Sequence, residues 1–155
     1  MNKKQISIVL LIIFITTVLF SVVNVSLSNT NTQELENGTI TINNKTVNYD
    51  KSGKCLDVVD GNTIQVYGVG KVQLSQVKII HSQPEFSKSK EFVSEKCLGK
   101  TVYLDIDDKQ PKDKYGRTLA VVYTDDTNIN KELINLKLAE ISYFQPSEFK
   151  KGEFS

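Results

Sequence analysis

The hydrophobic residues of this chain follow three different patterns along its length. Residues 6–27 are apolar and carry no charge, whereas residues 28–53 are rich in Asn, Thr and Ser. From residue 54 to residue 149 short apolar runs alternate with polar turns, and residues 150–155 form a short tail. This arrangement predicts one folded domain over residues 54–149, preceded by a polar linker and a separate hydrophobic segment.

The domain segment opens with three β-rich runs. The stretch CLDVVDGNTIQVYGVGKVQLSQVKII, residues 55–80, is interrupted by Asp60-Gly61 and by a Gly-Val-Gly sequence, which are turn signals between strands. Two further runs, KTVYLDID and RTLAVVYT, have the length and composition of strands. A weak hairpin is also indicated within the linker, at TITINNKTVNY.

Two segments of the domain have helical spacing. Phe86, Val93 and Cys97 are seven and four residues apart, which places them on one helical face, and Gly99 closes that helix. The run NKELINLKLAE predicts a second helix with Asn130 as its N-cap. Three strands, a helix, two strands and a helix predict a mainly β fold with α, namely a five-stranded OB-fold barrel with packed helices.

The hydrophobic segment before the linker predicts a membrane location. Its 22 residues, 6–27, are long enough to cross about 30 Å of hydrocarbon as a helix. A cleaved signal peptide is the alternative, but the apolar core is long and no small-residue cleavage pattern follows it. We therefore expect a transmembrane or signal-anchor helix, with Lys3 and Lys4 keeping residues 1–5 in the cytoplasm. The domain would then be extracellular, or secreted if the segment is cleaved.

Composition excludes several kinds of site. The 19 basic and 18 acidic residues nearly balance, so no overall positive field indicates nucleic acid or an anionic membrane surface. One histidine excludes a site that needs two imidazoles, and two cysteines exclude a four-thiolate zinc site. Asn37 and Asn44 begin glycosylation acceptor patterns, which agree with an extracellular placement.

Several segments together resemble one known family. VVDGNTIQV, KVQLSQVKIIH, GKTVYLDID, DKYGRTLAVVY and INKELINLKLAE are similar, in order and spacing, to the staphylococcal nuclease (thermonuclease-like) domain. The resemblance covers about residues 54–149, and DKYGRTLA is its most specific part. It implies an OB barrel with packed helices and calcium-dependent hydrolysis of DNA and RNA phosphodiesters.

Most of the active-site positions that the resemblance implies are replaced in this chain. The family has an aspartate that binds calcium where this chain has Asn62, and an arginine that contacts phosphate where it has Gln73. A second calcium aspartate corresponds to Lys78, and the glutamate that activates water corresponds to His81. The second phosphate-binding arginine is retained as Arg117. The resemblance therefore predicts a degenerate site.

The lysine in this set argues most strongly against a metal. Calcium takes six to eight oxygen ligands and depends on carboxylates for its affinity. An ammonium about 4 Å from a divalent ion is repelled by roughly 8 kcal/mol at an effective dielectric of 20, as an upper scale. We therefore predict no metal and no cofactor, although the family uses calcium.

Each remaining candidate residue has two interpretations. Arg117 binds phosphate as a bidentate fork, or is a turn residue paired with Asp113. His81 is a general base, or a solvated surface residue, which is the commoner case. Glu85 is a carboxylate shifted four residues along the chain from the family position, or an ordinary acid ahead of the helix.

The cysteine pair leads to a prediction that depends on the resemblance. Cys55 and Cys97 are an even pair in a compartment where disulfides persist. In the implied fold, the start of the first strand and the end of the helix approach each other. We predict a disulfide between these two residues, with two separate buried thiols as the alternative.

Three functions remain open from the sequence. The first is a membrane-tethered extracellular domain of nuclease fold that has lost catalysis and serves as a binding or structural module. The second is an active nucleic-acid phosphodiesterase with a rearranged site built on Arg117, Glu85 and His81. The third is a weak binder of nucleic acid or another phosphate-bearing ligand that does not cleave it. The sequence identifies no protein partner.

Overall fold

A computed structural model describes residues 37–150 and residue 153. Its strands are β1 (Gly38–Ile42), β2 (Lys45–Tyr49), β3 (Lys51–Asp60), β4 (Thr63–Val66), β5 (Gly70–Leu74), β6 (Val77–Ile79), β7 (Thr101–Ile106), β8 (Thr118–Tyr123) and β9 (Ala139–Ile141). The helices of this part of the chain are α1 (Glu85–Cys97) and α2 (Ile129–Asn135). The predicted anchor, residues 6–27, and the predicted cytoplasmic tail, residues 1–5, lie outside the described residues.

Within residues 37–150, no helix has both the length and the apolar character that crossing a membrane requires.

Five strands close into a barrel in the order β3-β4-β5-β8-β7. Neighbouring strands are antiparallel except for β5 and β8, which run parallel. β3 closes the barrel because its first half, Lys51 to Lys54, pairs with β7 and its second half pairs with β4. Two register shifts between β3 and β4 are the irregularities that bend such a long strand. The predicted mainly β fold with a five-stranded barrel is confirmed.

Aliphatic side chains fill the barrel, and α1 packs against them. Ile64, Leu74 and Leu104 are fully buried in the core. Val93 and Cys97 of α1 are buried in the same cluster, so the predicted helical face is confirmed. Burying a side chain of this kind contributes about 1.5–3 kcal/mol, which makes the barrel interior the main source of stability.

The second helix differs from its prediction at its start. The N-cap is Asn128, whose side chain accepts a hydrogen bond from the Lys131 backbone N–H. Asn130 is instead buried inside α2, with Oδ1 accepting from Val122 N–H at 2.9 Å and Nδ2 donating to Ser75 O at 2.9 Å. The prediction of Asn130 as N-cap is therefore wrong, because its side-chain amide is hydrogen-bonded to backbone groups of β8 and of the β5–β6 turn.

The run predicted as the second helix extends to Glu140, whereas α2 ends at Asn135, so the C-terminal part of that prediction is wrong. Ala139–Ile141 forms β9 and pairs antiparallel with β6. The apolar run predicted as one third strand is accordingly divided into β5 and β6, and the turn between them places Gln76 at a positive φ of 57°. The small β6–β9 sheet lies outside the barrel sheet.

The β1–β2 hairpin lies within the segment predicted as a linker, residues 28–53. Asn43 and Asn44 form its turn with φ values of 50° and 63°, the left-handed conformation that tight hairpins require. Ile42 packs with Val121, Tyr123 and Phe149 in a second apolar cluster on the outside of the barrel. The ordered structure therefore begins before residue 54.

The two cysteines are free thiols, and both are buried. Both side chains belong to the same core cluster. The start of β3 and the end of α1 are also joined by a hydrogen bond from Gly99 N–H to Cys55 O at 2.9 Å. Burial raises the pKa of the Cys97 thiol to about 12. The predicted disulfide between Cys55 and Cys97 is absent from the structure, where the two side chains pack as small apolar residues.

A group of acids surrounds Asp105 on β7. Burial, followed by the negative charges of Glu148, Asp50, Glu153 and Asp108, raises the pKa of Asp105 from 3.8 to about 7. A carboxyl with a raised pKa favours the folded state while it is protonated. Its contribution to stability is therefore complete below about pH 4 and is lost as the pH rises through 7.

We predict that Asp105→Asn removes this pH dependence. The variant should be more resistant to urea than the parent at pH 8, and the two should converge below about pH 4. Urea unfolding at several pH values measures the difference. Asp57→Asn, at an exposed position of β3, is the matched control and should keep the parent's profile. An unchanged profile in Asp105→Asn would show that the cluster does not strain the fold.

Candidate functional site

The turn between β3 and β4 has the tight shape that its Asp-Gly sequence predicts. The backbone N–H of Asn62 donates to Asp60 Oδ1 at 2.9 Å, so the aspartate side chain braces the turn. Gly61 lies directly against α1, where a Cβ would overlap Ser89 Oγ. Asp60 and Gly61 therefore set how closely the hairpin approaches the helix.

The Asn62 side chain connects this turn to β6. Its Nδ2 donates to the backbone oxygen of Val77 at 2.9 Å. A carboxylate at position 62 could not donate, and one of its oxygens would face the carbonyl oxygen. The amide thus joins the two elements directly.

Three polar side chains meet beside this turn. Thr63 and Gln73 are paired across β4 and β5, and Thr63 Oγ1 donates to Gln73 Oε1 at 3.1 Å. The same hydroxyl accepts from Arg117 Nη1 at 3.4 Å. The structure therefore brings together Gln73 and Arg117, two positions that the resemblance marks as phosphate-binding.

Arg117 is held by the loop before β8. Its Nε donates to Asp113 Oδ2 at 2.6 Å, and Asp113 Oδ1 accepts from the N–H groups of Tyr115 and Arg117. Burial raises the pKa of Asp113, but the hydrogen bonds from Arg117 outweigh it, so that pKa lies below its ordinary value. The predicted Asp113 pairing is present, and Arg117 Nη2 still has no partner among the described residues.

A cavity of about 260 Å³, here named cavity 1, opens beside this arginine. It is lined by Gln73, Leu74, Gln76, Val77, Gln110, Asp113, Arg117, Leu119, Ser142 and Phe144. The lining combines three amides, one hydroxyl and one ion pair with four apolar side chains. Such groups can hold a polar ligand but offer no strong nucleophile.

The other candidate residues lie away from cavity 1. Lys78 is exposed on β6, opposite Glu140 of β9. His81 is exposed and stacks on Phe86, with ring centroids 5.7 Å apart. Glu85 begins α1 and accepts from Ser82 Oγ at 3.1 Å. None of these three lines the cavity that contains Arg117.

The residues present do not suit calcium. Asn62 directs a donor rather than an acceptor toward Val77 of β6. The residue after Val77 in this strand is Lys78, whose side chain is a cation rather than a carboxylate. Within the described part of the chain, no three His, Cys, Asp or Glu side chains are grouped so that they could hold a metal ion. A hard divalent cation needs several oxygen ligands, preferably carboxylates, and this donor set does not provide them.

Gln76 is a site residue that the sequence did not single out. It lies in the β5–β6 turn, is 2% exposed and lines cavity 1. Its Nε2 donates to Ser147 Oγ and to Phe149 O, both at 2.9 Å, whereas its Oε1 has no partner within residues 37–150. No local pattern marks such a residue, because its role depends on contacts more than 70 positions along the chain.

Comparison with known proteins places the barrel domain in the family that the sequence motifs resemble. A family model described as staphylococcal nuclease homologue matches residues 63–154. The thermonuclease of Staphylococcus hyicus is 30% identical over 108 residues, 63% of this chain and 63% of that protein. The thermonuclease of Staphylococcus intermedius is 32% identical over 101 residues, 59% of this chain and 60% of that protein. An uncharacterized protein of Bacillus anthracis is 31% identical over 106 residues, 61% of this chain and 50% of that protein. The chain thus spans less than two thirds of the length of these relatives.

We predict that Asn62→Asp destabilises the domain and that calcium does not restore it. The change removes a half-buried donor and sets a carboxylate against Val77 O, which should lower the free energy of unfolding by about 1 kcal/mol. Urea denaturation with millimolar calcium and with chelator measures both effects. Asn48→Asp, at an exposed position of β2, is the matched control. Stabilisation of Asn62→Asp by calcium would contradict our interpretation of the site.

Proposed function

This chain belongs to the staphylococcal nuclease homologue family, and we propose that it is a membrane-tethered extracellular domain that has lost calcium-dependent hydrolysis. In this proposal it serves as a binding module that holds a phosphate-bearing ligand weakly at cavity 1. The ligand would contact Arg117 and the amides beside it. No metal or other cofactor takes part.

The Asn62–Val77 hydrogen bond is the observation on which the loss of catalysis rests. It occupies the side chain at a position where the family has a carboxylate, and it links the β3–β4 hairpin to β6 through an amide donor. Without a divalent charge, only Arg117, whose charge Asp113 partly cancels, faces the negative charge that develops during phosphodiester cleavage at cavity 1. No metal ion then lowers the pKa of an attacking water.

The position of the candidate bases supports the same conclusion. A general base must lie within about 3 Å of the proton it removes, directly or through one water. His81 is stacked on Phe86, and Glu85 lines a different surface depression together with Lys88. Both would need to move to reach a phosphate bound at Arg117.

Retention of Arg117 supports ligand binding. Its Nη2 is available, and a guanidinium binds phosphate through charge-assisted hydrogen bonds. The nearby Asp113 carboxylate cancels part of its charge at 2.6 Å. Since Gln73 replaces the second arginine, we expect weak binding that falls as the salt concentration rises.

We predict no calcium-stimulated cleavage of DNA or RNA by the purified full-length chain. The assay compares hydrolysis in calcium and in chelator, with an active thermonuclease as positive control. Asn62→Asp alone should not rescue activity, because Lys78 still opposes the ion and Gln73 still lacks a guanidinium.

The same preparation tests binding through the anisotropy of a labelled single-stranded oligonucleotide at several salt concentrations. Binding should be independent of calcium and weakened about tenfold by Arg117→Ala, the loss expected for one charge-assisted contact. Lys51→Ala, at an exposed position of β3, should have no effect.

The alternative function is an active phosphodiesterase with a rearranged site. It is favoured by the relatives named thermonuclease and by the retained Arg117. Robust calcium-dependent turnover by the unmodified chain, abolished by Arg117→Ala, would establish this alternative and overturn the proposal of lost catalysis.

The membrane part of the proposal rests on the uncharged segment at residues 6–27. A chain with such an anchor should sediment with membranes and resist extraction by high salt, because apolar burial does not depend on ionic strength. Recovery of an N-terminally trimmed chain from the medium would identify the segment as a cleaved signal peptide instead.

A further inference from the structure

A second and larger cavity, here named cavity 2, lies on another part of the surface. Its volume is about 550 Å³, within the range of small-molecule sites. The β1–β2 hairpin, α1, α2 and the end of β8 enclose it, and it shares no lining residue with cavity 1.

A nearly buried tyrosine provides one polar group of cavity 2. Tyr123 is 8% exposed and lines the cavity. Its hydroxyl has no hydrogen-bond partner among residues 37–150. Burial, followed by the charges of Asp105 and Glu153, raises the pKa of this phenol, so it remains a donor at neutral pH. The hydroxyl oxygen is not among the fully buried, unpartnered polar atoms of the described residues, so it is open to solvent and accessible to a ligand acceptor.

The acids of cavity 2 already have partners. Asp126 pairs with Lys96 at 3.5 Å, and Glu132 accepts from Asn135 Nδ2 at 3.2 Å. Glu153 accepts from a backbone N–H at 3.0 Å. Asp126 is thus paired with a cation, whereas Glu132 and Glu153 accept from neutral donors and keep their negative charge. Lys45, Lys96 and Lys131 balance the three acids, so the lining as a whole has no net charge.

Lys45 is a lining residue of cavity 2 whose charge is not paired within the described residues. It lines cavity 2 from the hairpin and forms no ion pair or hydrogen bond within the described part of the chain. Lys131 adds a second positive charge to the lining, and Ile42, Val47 and Phe92 supply apolar surface. Lys45 and the Tyr123 hydroxyl therefore offer a ligand two donors, one of them cationic, beside apolar side chains.

We propose that cavity 2 binds a small molecule that combines a carboxylate with an apolar body. The carboxylate accepts from Lys45 Nζ and Tyr123 Oη, and the apolar body contacts Phe92 and Val47. The same chemistry is found in a free aromatic acid and in the C-terminal residue of a peptide.

The test titrates the full-length chain with 3-phenylpropionate and with its uncharged amide, following backbone amide signals by NMR. The carboxylate should bind at least about tenfold more tightly than the amide, as expected for a charge-assisted hydrogen bond. Shifts should be confined to residues that line cavity 2. A parallel titration uses N-acetylphenylalanine, which mimics the C-terminal residue of a peptide. Tighter binding of 3-phenylpropionate indicates a free aromatic acid as the ligand, and tighter binding of N-acetylphenylalanine indicates a peptide C terminus.

Two variants separate the contributions of the donors. Lys45→Met keeps the length of the side chain and should reduce binding of the carboxylate to the level of the amide. Tyr123→Phe keeps the ring and should weaken the carboxylate about tenfold. Lys51→Met is the matched control for a lysine outside the cavity and should bind like the parent.

The proposal fails if the amide binds as tightly as the carboxylate, or if Lys45→Met has no effect. It also fails if the shifts occur at Gln73 and Arg117, since the probe would then occupy cavity 1. Because Lys45 is exposed at a turn, its variant remains informative even if Tyr123→Phe does not fold.

Discussion

One buried amide ties together the parts of the domain that create the candidate site. Asn130 of α2 accepts from the Val122 N–H of β8 and donates to Ser75 O in the β5–β6 turn. An apolar residue at this position would leave two buried backbone groups without partners, at about 1–3 kcal/mol each. The amide therefore fixes where β5 leaves the barrel, and Gln73 near the end of β5 is placed accordingly.

The C-terminal segment depends on the same turn. Gln76 donates to Ser147 and to the backbone of Phe149, and Ser147 Oγ donates to Asp107 Oδ2 at 2.5 Å. Asp107 is fully buried, and its Oδ1 also accepts from the Glu148 N–H. These bonds secure residues 147–149 against the barrel and connect them to Gln76, which lines cavity 1.

The site itself combines a preserved backbone with altered chemistry. Asp60 and Gly61 keep the turn, and Thr63 keeps contact with the strand beside it and with Arg117. The amide of Asn62 satisfies a backbone carbonyl, where a carboxylate would need an ion to relieve its repulsion from that oxygen. The Asn62–Val77 hydrogen bond therefore provides the contact between the turn and β6 at this position.

The sequence by itself determined the barrel strands, the buried face of α1 and the Asp-Gly turn, because side-chain periodicity and turn chemistry act between near neighbours. The replaced site positions could also be predicted, since they follow family motifs in order. Only the tertiary structure decided that Asn62 bonds Val77, 15 positions away, and that Arg117 meets Thr63, 54 positions away. It likewise assigned Asn130 to the barrel rather than to a helix cap, left Cys55 and Cys97 as thiols and formed cavity 2. These outcomes depend on contacts between distant segments, which a local pattern does not encode.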